Sequence, residues 1–167
     1  TKVTCTGGIH YGSWRFGCWK KGGHGTVSLH RALVESCDVY FYEAGKRVGV
    51  DKIAEYAREL GLDSITGLPL VKERPGLIPD TKWKVEKKKQ QWYLGETFNV
   101  AIGQGYVAVT PIQMAQLMAA VSNGGFIYSP TIMKLEGKPT PVKQARLTPE
   151  TLELVRKGLF GVVNEGG

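Results

Sequence analysis

The stretch Glu35-Ser36-Cys37-Asp38-Val39-Tyr40-Phe41-Tyr42 sets a hydroxyl, a thiol and a carboxylate in a row between two apolar helical patterns. Ahead of it, Leu29, Ala32 and Leu33 share one helical face of residues 27–34. Behind it, Val39, Tyr42 and Val48 repeat the spacing more loosely. A polar break between two buried helices is costly unless its groups are hydrogen-bonded or used. Alternate residues of a tight non-helical connection can point to opposite sides. Ser36 and Asp38 would then face a cleft while Cys37 faces the body. The competing reading is a plain helix junction with Ser36 or Asp38 as its N-cap.

Upstream, residues 1–26 are rich in glycine and hold Trp14, Phe16 and Trp19, the pattern of an irregular loop pinned by aromatics. All three cysteines, Cys5, Cys18 and Cys37, fall in the first 37 residues, with His24 between Gly23 and Gly25. The spacing is Cys-x12-Cys-x5-His-x12-Cys. It admits a tetrahedral zinc site on Cys5, Cys18, His24 and Cys37, with His10 and His30 as other candidate ligands. It also admits a Cys5–Cys18 disulfide with Cys37 left over, or three unrelated cysteines. A Gly-rich loop with little core of its own gains order from a metal, and an odd cysteine count sits poorly with disulfides alone. The usual Cys-x2–4-Cys knuckle is absent.

Downstream, Asp51 caps a helix over residues 51–60 with a stripe of Ile53, Ala54, Ala57 and Leu60 and a terminal Gly61. Residues 62–100 read as a loop punctuated by Gly67, Pro69, Pro75, Gly76 and Pro79, then by the run Lys82-Trp83-Lys84-Val85-Glu86-Lys87-Lys88-Lys89. Much of the net charge of +7 sits in that run. Lysines among aromatics suit a polyanionic wall, an anionic membrane or a nucleic acid, but also a solvated loop with anchoring aromatics. Nucleic acid is not the expected partner. In Ile102-Gly103-Gln104-Gly105 the glycines suggest a close backbone approach, with a phosphate cradle as a weakly marked option. Thr110-Pro111-Ile112-Gln113 is a capping box with proline at N1. The helix that follows runs to Ser122, is apolar nearly all round, and should be central. Residues 126–133 read as a strand, 134–147 as a loop, and Thr148-Pro149-Glu150 opens a last helix striped by Leu152, Val155, Leu159 and Val162. The expected class is α+β, mostly helical, in a single piece spanning 1–167. A hydrophobic fraction of 42% fits one buried core at this length. No apolar run is long enough to span a bilayer.

Three segments together resemble the transpeptidase domain of class B penicillin-binding proteins, and within it the branch that serves cell elongation. They are Gly23-His24-Gly25-Thr26-Val27-Ser28-Leu29 leading into Glu35–Tyr42; Ile102-Gly103-Gln104-Gly105 with Val109-Thr110-Pro111-Ile112-Gln113-Met114-Ala115; and Gly158-Leu159-Phe160-Gly161-Val162-Val163-Asn164. The resemblance implies a β-lactamase/transpeptidase-like (penicilloyl-serine transferase) fold. It implies a parent serine D,D-transpeptidase that cross-links peptidoglycan stem peptides and is acylated by β-lactams. Ser36 would relay a proton, and Asp38 would orient the catalytic lysine and the substrate amide. Most members carry Ser-x-Asn where this chain has Ser36-Cys37-Asp38.

Two motifs of the family are missing. No serine has lysine three positions on, and no Lys-Thr-Gly or Lys-Ser-Gly occurs. The chain therefore reads as the middle of a longer domain, cut at both ends and inactive alone. The parent is expected at the periplasmic face of a bacterial inner membrane, beside membrane proteins of an elongation complex. The fragment itself is expected to self-associate through uncovered apolar surface. The alternative is a zinc-stabilised interaction module with no catalytic role.

Overall fold

A computed structural model describes residues 1–68, 72–134 and 136–165. Pro69 of the 62–100 loop and Gly166–Gly167 at the chain end lie outside the described residues. The class is α+β and mostly helical, as expected.

Residues 1–26 are not an irregular loop. β1 (Lys2–Cys5) pairs antiparallel with β4 (Gly25–Ser28), and β2 (Gly8–Tyr11) pairs with β3 (Trp14–Gly17). Val3 and Cys5 alternate inward with Val27 opposite Val3, but a period of two over four residues is too short to stand out among glycines. Ser28 then caps α1 (Leu29–Val34), its Oγ accepting from the Arg31 N–H at 3.4 Å. α2 (Asp38–Val48) and α3 (Val50–Glu59) follow. Gly49, not Asp51, stands at the N-cap of α3. The Asp51 carboxylate instead accepts bonds from the Thr81 N–H and hydroxyl at 2.9 Å. Gly61 ends α3 as expected: its N–H bonds to Arg58 O at 3.1 Å and that of Leu62 to Ala57 O at 3.1 Å, a Schellman ending.

The stretch read as a long loop contains a helical turn α4 (Thr81–Trp83), a π-helical turn over Lys84–Lys88 and a buried helix α5 (Leu94–Ala101). Lys84 is not a surface charge. It is buried, paired with Glu96, and donates to Tyr106 Oη at 3.4 Å. Glu96 also accepts from the Tyr93 N–H at 2.9 Å, so one carboxylate starts α5 and neutralises the buried lysine. The other lysines of the run are exposed. The Gly103–Gly105 turn does not cradle an anion. The N–H groups of Ile102, Gly103 and Gln104 are spent on Asn99 O and Val100 O at the end of α5.

α6 (Pro111–Asn123) opens with the expected capping box: Thr110 Oγ1 accepts from Gln113 N at 3.3 Å and Gln113 Oε1 from Thr110 N at 2.8 Å. Gln113 Nε2 also donates to Ser64 O and Pro75 O, which ties the preceding loop to the helix. α6 is not buried all round. Met114 and Met118 are 38% and 44% exposed, because the described residues cover it on one side only. The expected strand shrinks to β5 (Phe126–Ile127), paired with β6 (Lys143–Gln144) from the supposed loop.

The last helix, α7 (Pro149–Asn164), starts as expected at Thr148 but buries Leu152, Gly158 and Gly161; Leu159 and Val162 are exposed. The two glycines seat it against α1. A Cβ on Gly158 would stand 2.4 Å from Leu33 Cδ1 and 3.0 Å from Leu33 Cβ, and one on Gly161 2.6 Å from Val34 Cγ2. Gly158→Ala should therefore destabilise the protein by about 1–2 kcal/mol in urea titration, overpacking outweighing the gain in helix propensity. An unchanged or raised midpoint would mean that α7 does not sit on α1 as described.

The core gathers Val3, Cys5, Cys18, Val27, Ala32, Cys37, Val39, Tyr40, Tyr42 and Phe98. Phe16 stacks edge-on against Phe98 at 4.9 Å, and the Tyr42 hydroxyl donates to Gly17 O at 3.0 Å. This core lies directly behind the Ser36 turn.

Candidate active-site turn and metal centre

The connection between α1 and α2 is a Schellman ending with an unusual occupant. The Ser36 N–H bonds to Leu33 O at 3.3 Å and the Cys37 N–H to Ala32 O at 2.9 Å. Ser36 takes the left-handed position that glycine usually fills, with φ 51. A serine held there costs about 1 kcal/mol or more, and such strain concentrates at functional sites. Cys37, fully buried, is the N-cap of α2 by its backbone and contributes no side-chain cap bond. Neither Ser36 nor Asp38 is the cap. Ser36 is exposed, and Asp38, the first residue of α2, is half-buried. Both line a cleft of about 290 Å³ with Leu33, Phe41, Ala101 and Ile102. The last two bring the start of the Ile-Gly-Gln-Gly segment beside the turn.

Trp19 holds the turn from the other side. Its N–H donates to Asp38 Oδ2 at 3.0 Å, and its indole Nε1–H donates to Glu35 O at 3.0 Å. The ring itself is exposed and meets His24 edge-on at 5.4 Å. Sequence reasoning passed over Trp19 as a loop anchor and gave Glu35 no role. The available signal was adjacency, since Trp19 follows Cys18 and Glu35 precedes Ser36.

Behind the turn, Cys5, Cys18, His24 and Cys37 are all buried, and one ligand atom from each lies within 4.8 Å of every other. The three cysteines are unbridged. His10 is exposed on β2, and His30 pairs with Glu165 at 2.9 Å, so neither joins the cluster. His24 is carried in by a loop laid across β1. A Cβ on Gly23, whose φ is 79, would stand 2.2 Å from Cys5 O, so only glycine fits there. His24 Nδ1 lies 3.6 Å from Cys5 Sγ and 3.5 Å from Cys18 Sγ. Zn–S of 2.3 Å and Zn–N of 2.0–2.1 Å at a tetrahedral angle give N···S edges of about 3.6 Å. The residues present fit a tetrahedral metal.

The electrostatics divide the sulfurs. Burial opposes ionisation of Cys5, but hydrogen bonds from Gly7 and His24 outweigh it and bring the thiol down to about 7. Burial pushes Cys18 up, and pushes Cys37 up to about 12, with the Cys5 charge adding to the latter. Without a cation, burial disfavours the thiolates of Cys18 and Cys37. A divalent cation reverses that balance, because a coordinated thiol is deprotonated. Beside it, a hydrogen bond from Arg31 holds the Glu35 carboxyl below its ordinary value.

The family model for the penicillin-binding protein transpeptidase domain matches residues 1–167. The peptidoglycan D,D-transpeptidase MrdA of Acinetobacter baumannii is 33% identical over 96% of this chain and 28% of its own length. Penicillin-binding protein PBP2 from Helicobacter pylori superposes with a TM-score of 0.91 at 32% identity, covering 99% of this chain and 31% of that one. The same protein in complex with MreC gives 0.89 at 33% identity, covering 98% of this chain and 31% of that one. The chain thus spans under a third of the length of these relatives. Family match, sequence identity and fold agree over nearly every residue: this chain belongs to the penicillin-binding protein transpeptidase domain family.

Proposed function

We propose that this chain is the central part of a serine D,D-transpeptidase that cross-links peptidoglycan stem peptides and is acylated by β-lactams. The observation that carries the reading is Ser36, exposed in a strained left-handed conformation and lining one cleft with Asp38 and the start of the Ile-Gly-Gln-Gly segment. In the reaction, the serine of a Ser-x-x-Lys motif attacks the carbonyl of a D-Ala-D-Ala bond. The acyl-ester forms as the C–N bond breaks, and D-Ala leaves with a proton. The amine of a second stem peptide then attacks the ester, the serine is released, and the amine gives up its proton. Ser36 relays the proton to the leaving amine and from the attacking one. Asp38, its rotamer fixed by the Trp19 N–H, orients the catalytic lysine and the substrate amide.

Neither Ser-x-x-Lys nor Lys-Thr/Ser-Gly occurs among the 167 residues, so the chain alone is inactive. Its exposed apolar residues, including Met118 on α6 and Phe160 and Val163 on α7, offer a surface on which the rest of a larger domain would pack. In isolation, copies would associate through it. Cys5, Cys18 and Cys37 through sulfur and His24 through Nδ1 would hold zinc, which supplies charge to stabilise three buried thiolates and braces the turn without entering the chemistry. The parent acts at the periplasmic face of a bacterial inner membrane. Among the described residues no helix is long and apolar enough to cross a membrane. The parent's expected partners are membrane proteins of an elongation complex, and the complex of the Helicobacter pylori relative with MreC supports a protein partner.

Fluorescent penicillin tests the reading. The full-length protein is expected to form a covalent adduct and the 167-residue chain none. An adduct on the chain alone, or no adduct on the full-length protein, would overturn it.

A further inference from the structure

The His24 side chain is fully buried, and its Nε2 finds no hydrogen-bond partner among the described residues. One other buried side-chain atom shares that condition, Glu35 Oε2, and the two lie 3.9 Å apart. That is about 1 Å longer than an ordinary N–H···O bond. Nδ1 of the same ring faces the sulfurs of Cys5 and Cys18. A ring that gives its Nδ1 lone pair to a cation carries its proton on Nε2. A buried N–H then needs an acceptor. The other Glu35 oxygen, Oε1, is taken by Arg31 Nε, which leaves Oε2 facing the ring.

We infer that Glu35 is the positioning residue of the metal centre: its Oε2 accepts the His24 Nε2–H when Nδ1 is coordinated, fixing the ring's tautomer and orientation. The inference rests on the metal centre proposed above. It adds a residue outside the four ligands, with a role that metal-binding imidazoles commonly demand of a carboxylate. It also joins the two sites. Glu35 is the residue before Ser36, and its carbonyl accepts the Trp19 indole N–H. The chain of bonds from His24 through the Glu35 side chain therefore ends at the backbone of the catalytic turn.

Zinc affinity of the full-length protein, measured by competition with a chromophoric chelator, tests it. Glu35→Ala is expected to bind one zinc per chain about 10- to 100-fold more weakly. Glu35→Gln keeps a neutral acceptor and should lose about threefold to tenfold. Arg31→Ala strips the partner from Oε1 but leaves Oε2, and should stay within about twofold. A readout that general loosening would not reproduce is the His24 Nε2–H proton resonance, protected from exchange in the zinc-loaded protein and lost in Glu35→Ala. If Glu35→Ala does not fold, the order of Glu35→Gln below Arg31→Ala still decides. Affinity of Glu35→Ala within twofold of the unmodified protein, or equal losses in Glu35→Gln and Arg31→Ala, overturns the inference while leaving the metal centre intact. An unmodified protein that binds no zinc overturns both.

Discussion

Cys37→Ser is expected to take the zinc content from one per chain to none and to lower the melting temperature by about 8–16 °C. The magnitude follows from mass action. A metal held at about 1,000 times its dissociation constant stabilises the folded state by about 4 kcal/mol, and a domain of this size shifts by about 2–4 °C per kcal/mol. The serine hydroxyl is a poor ligand where the thiolate was a good one. It would also be left as a polar group in a fully buried position, which adds its own cost. Treating the unmodified protein with a strong chelator should reproduce most of the shift, and the same chelator should do nothing further to Cys37→Ser. Metal content and calorimetry on the same samples read this directly. A variant that keeps its zinc would remove Cys37 from the ligand set; an unmodified protein without zinc and with a mass lower by two hydrogens would replace the metal centre by a Cys5–Cys18 bridge.

The second large effect concerns the turn itself. In the full-length protein, Ser36→Ala should slow acylation by fluorescent penicillin by about 10²- to 10⁴-fold, the range lost with a positioned proton-transfer group. Asp38→Ala should be comparably impaired, since it loses both the oriented carboxylate and the bond that Trp19 N–H makes to it. Asp38→Asn keeps an oxygen for that bond and restores the commoner Ser-x-Asn pattern, so it should fall between. Stability separates strain from chemistry. With φ 51 at position 36, Ser36→Gly should be more stable than Ser36→Ala by about 1 kcal/mol, although both lack the hydroxyl. Acylation of Ser36→Ala within threefold of the unmodified protein would remove Ser36 from the reaction.

The chain's own order of residues determined several things outright. The capping box at Thr110, the cap at Thr148 and the Gly61 stop are local signals, and the structure carries each of them. The Cys–Cys–His–Cys set is one of three readings that the spacing admits, and the structure brings its four residues together. The row Ser36-Cys37-Asp38 announced a polar break between helices because few other patterns place three such groups between apolar faces. Tertiary structure decided the rest. Pairing of β1 with β4 joins partners 20 to 26 positions apart, from Cys5 with Gly25 to Lys2 with Ser28, which a four-residue alternation cannot announce. The buried face of α7 is drawn by Gly158 and Gly161 because close packing on Leu33 and Val34 rewards absent side chains, where periodicity looks for large ones. Lys84 was counted with a surface run until Glu96, twelve residues away, made its burial affordable. Which sulfurs meet His24, and which carboxylate waits behind its far nitrogen, are matters of distances of a few ångströms between remote residues. Only the folded chain sets those distances.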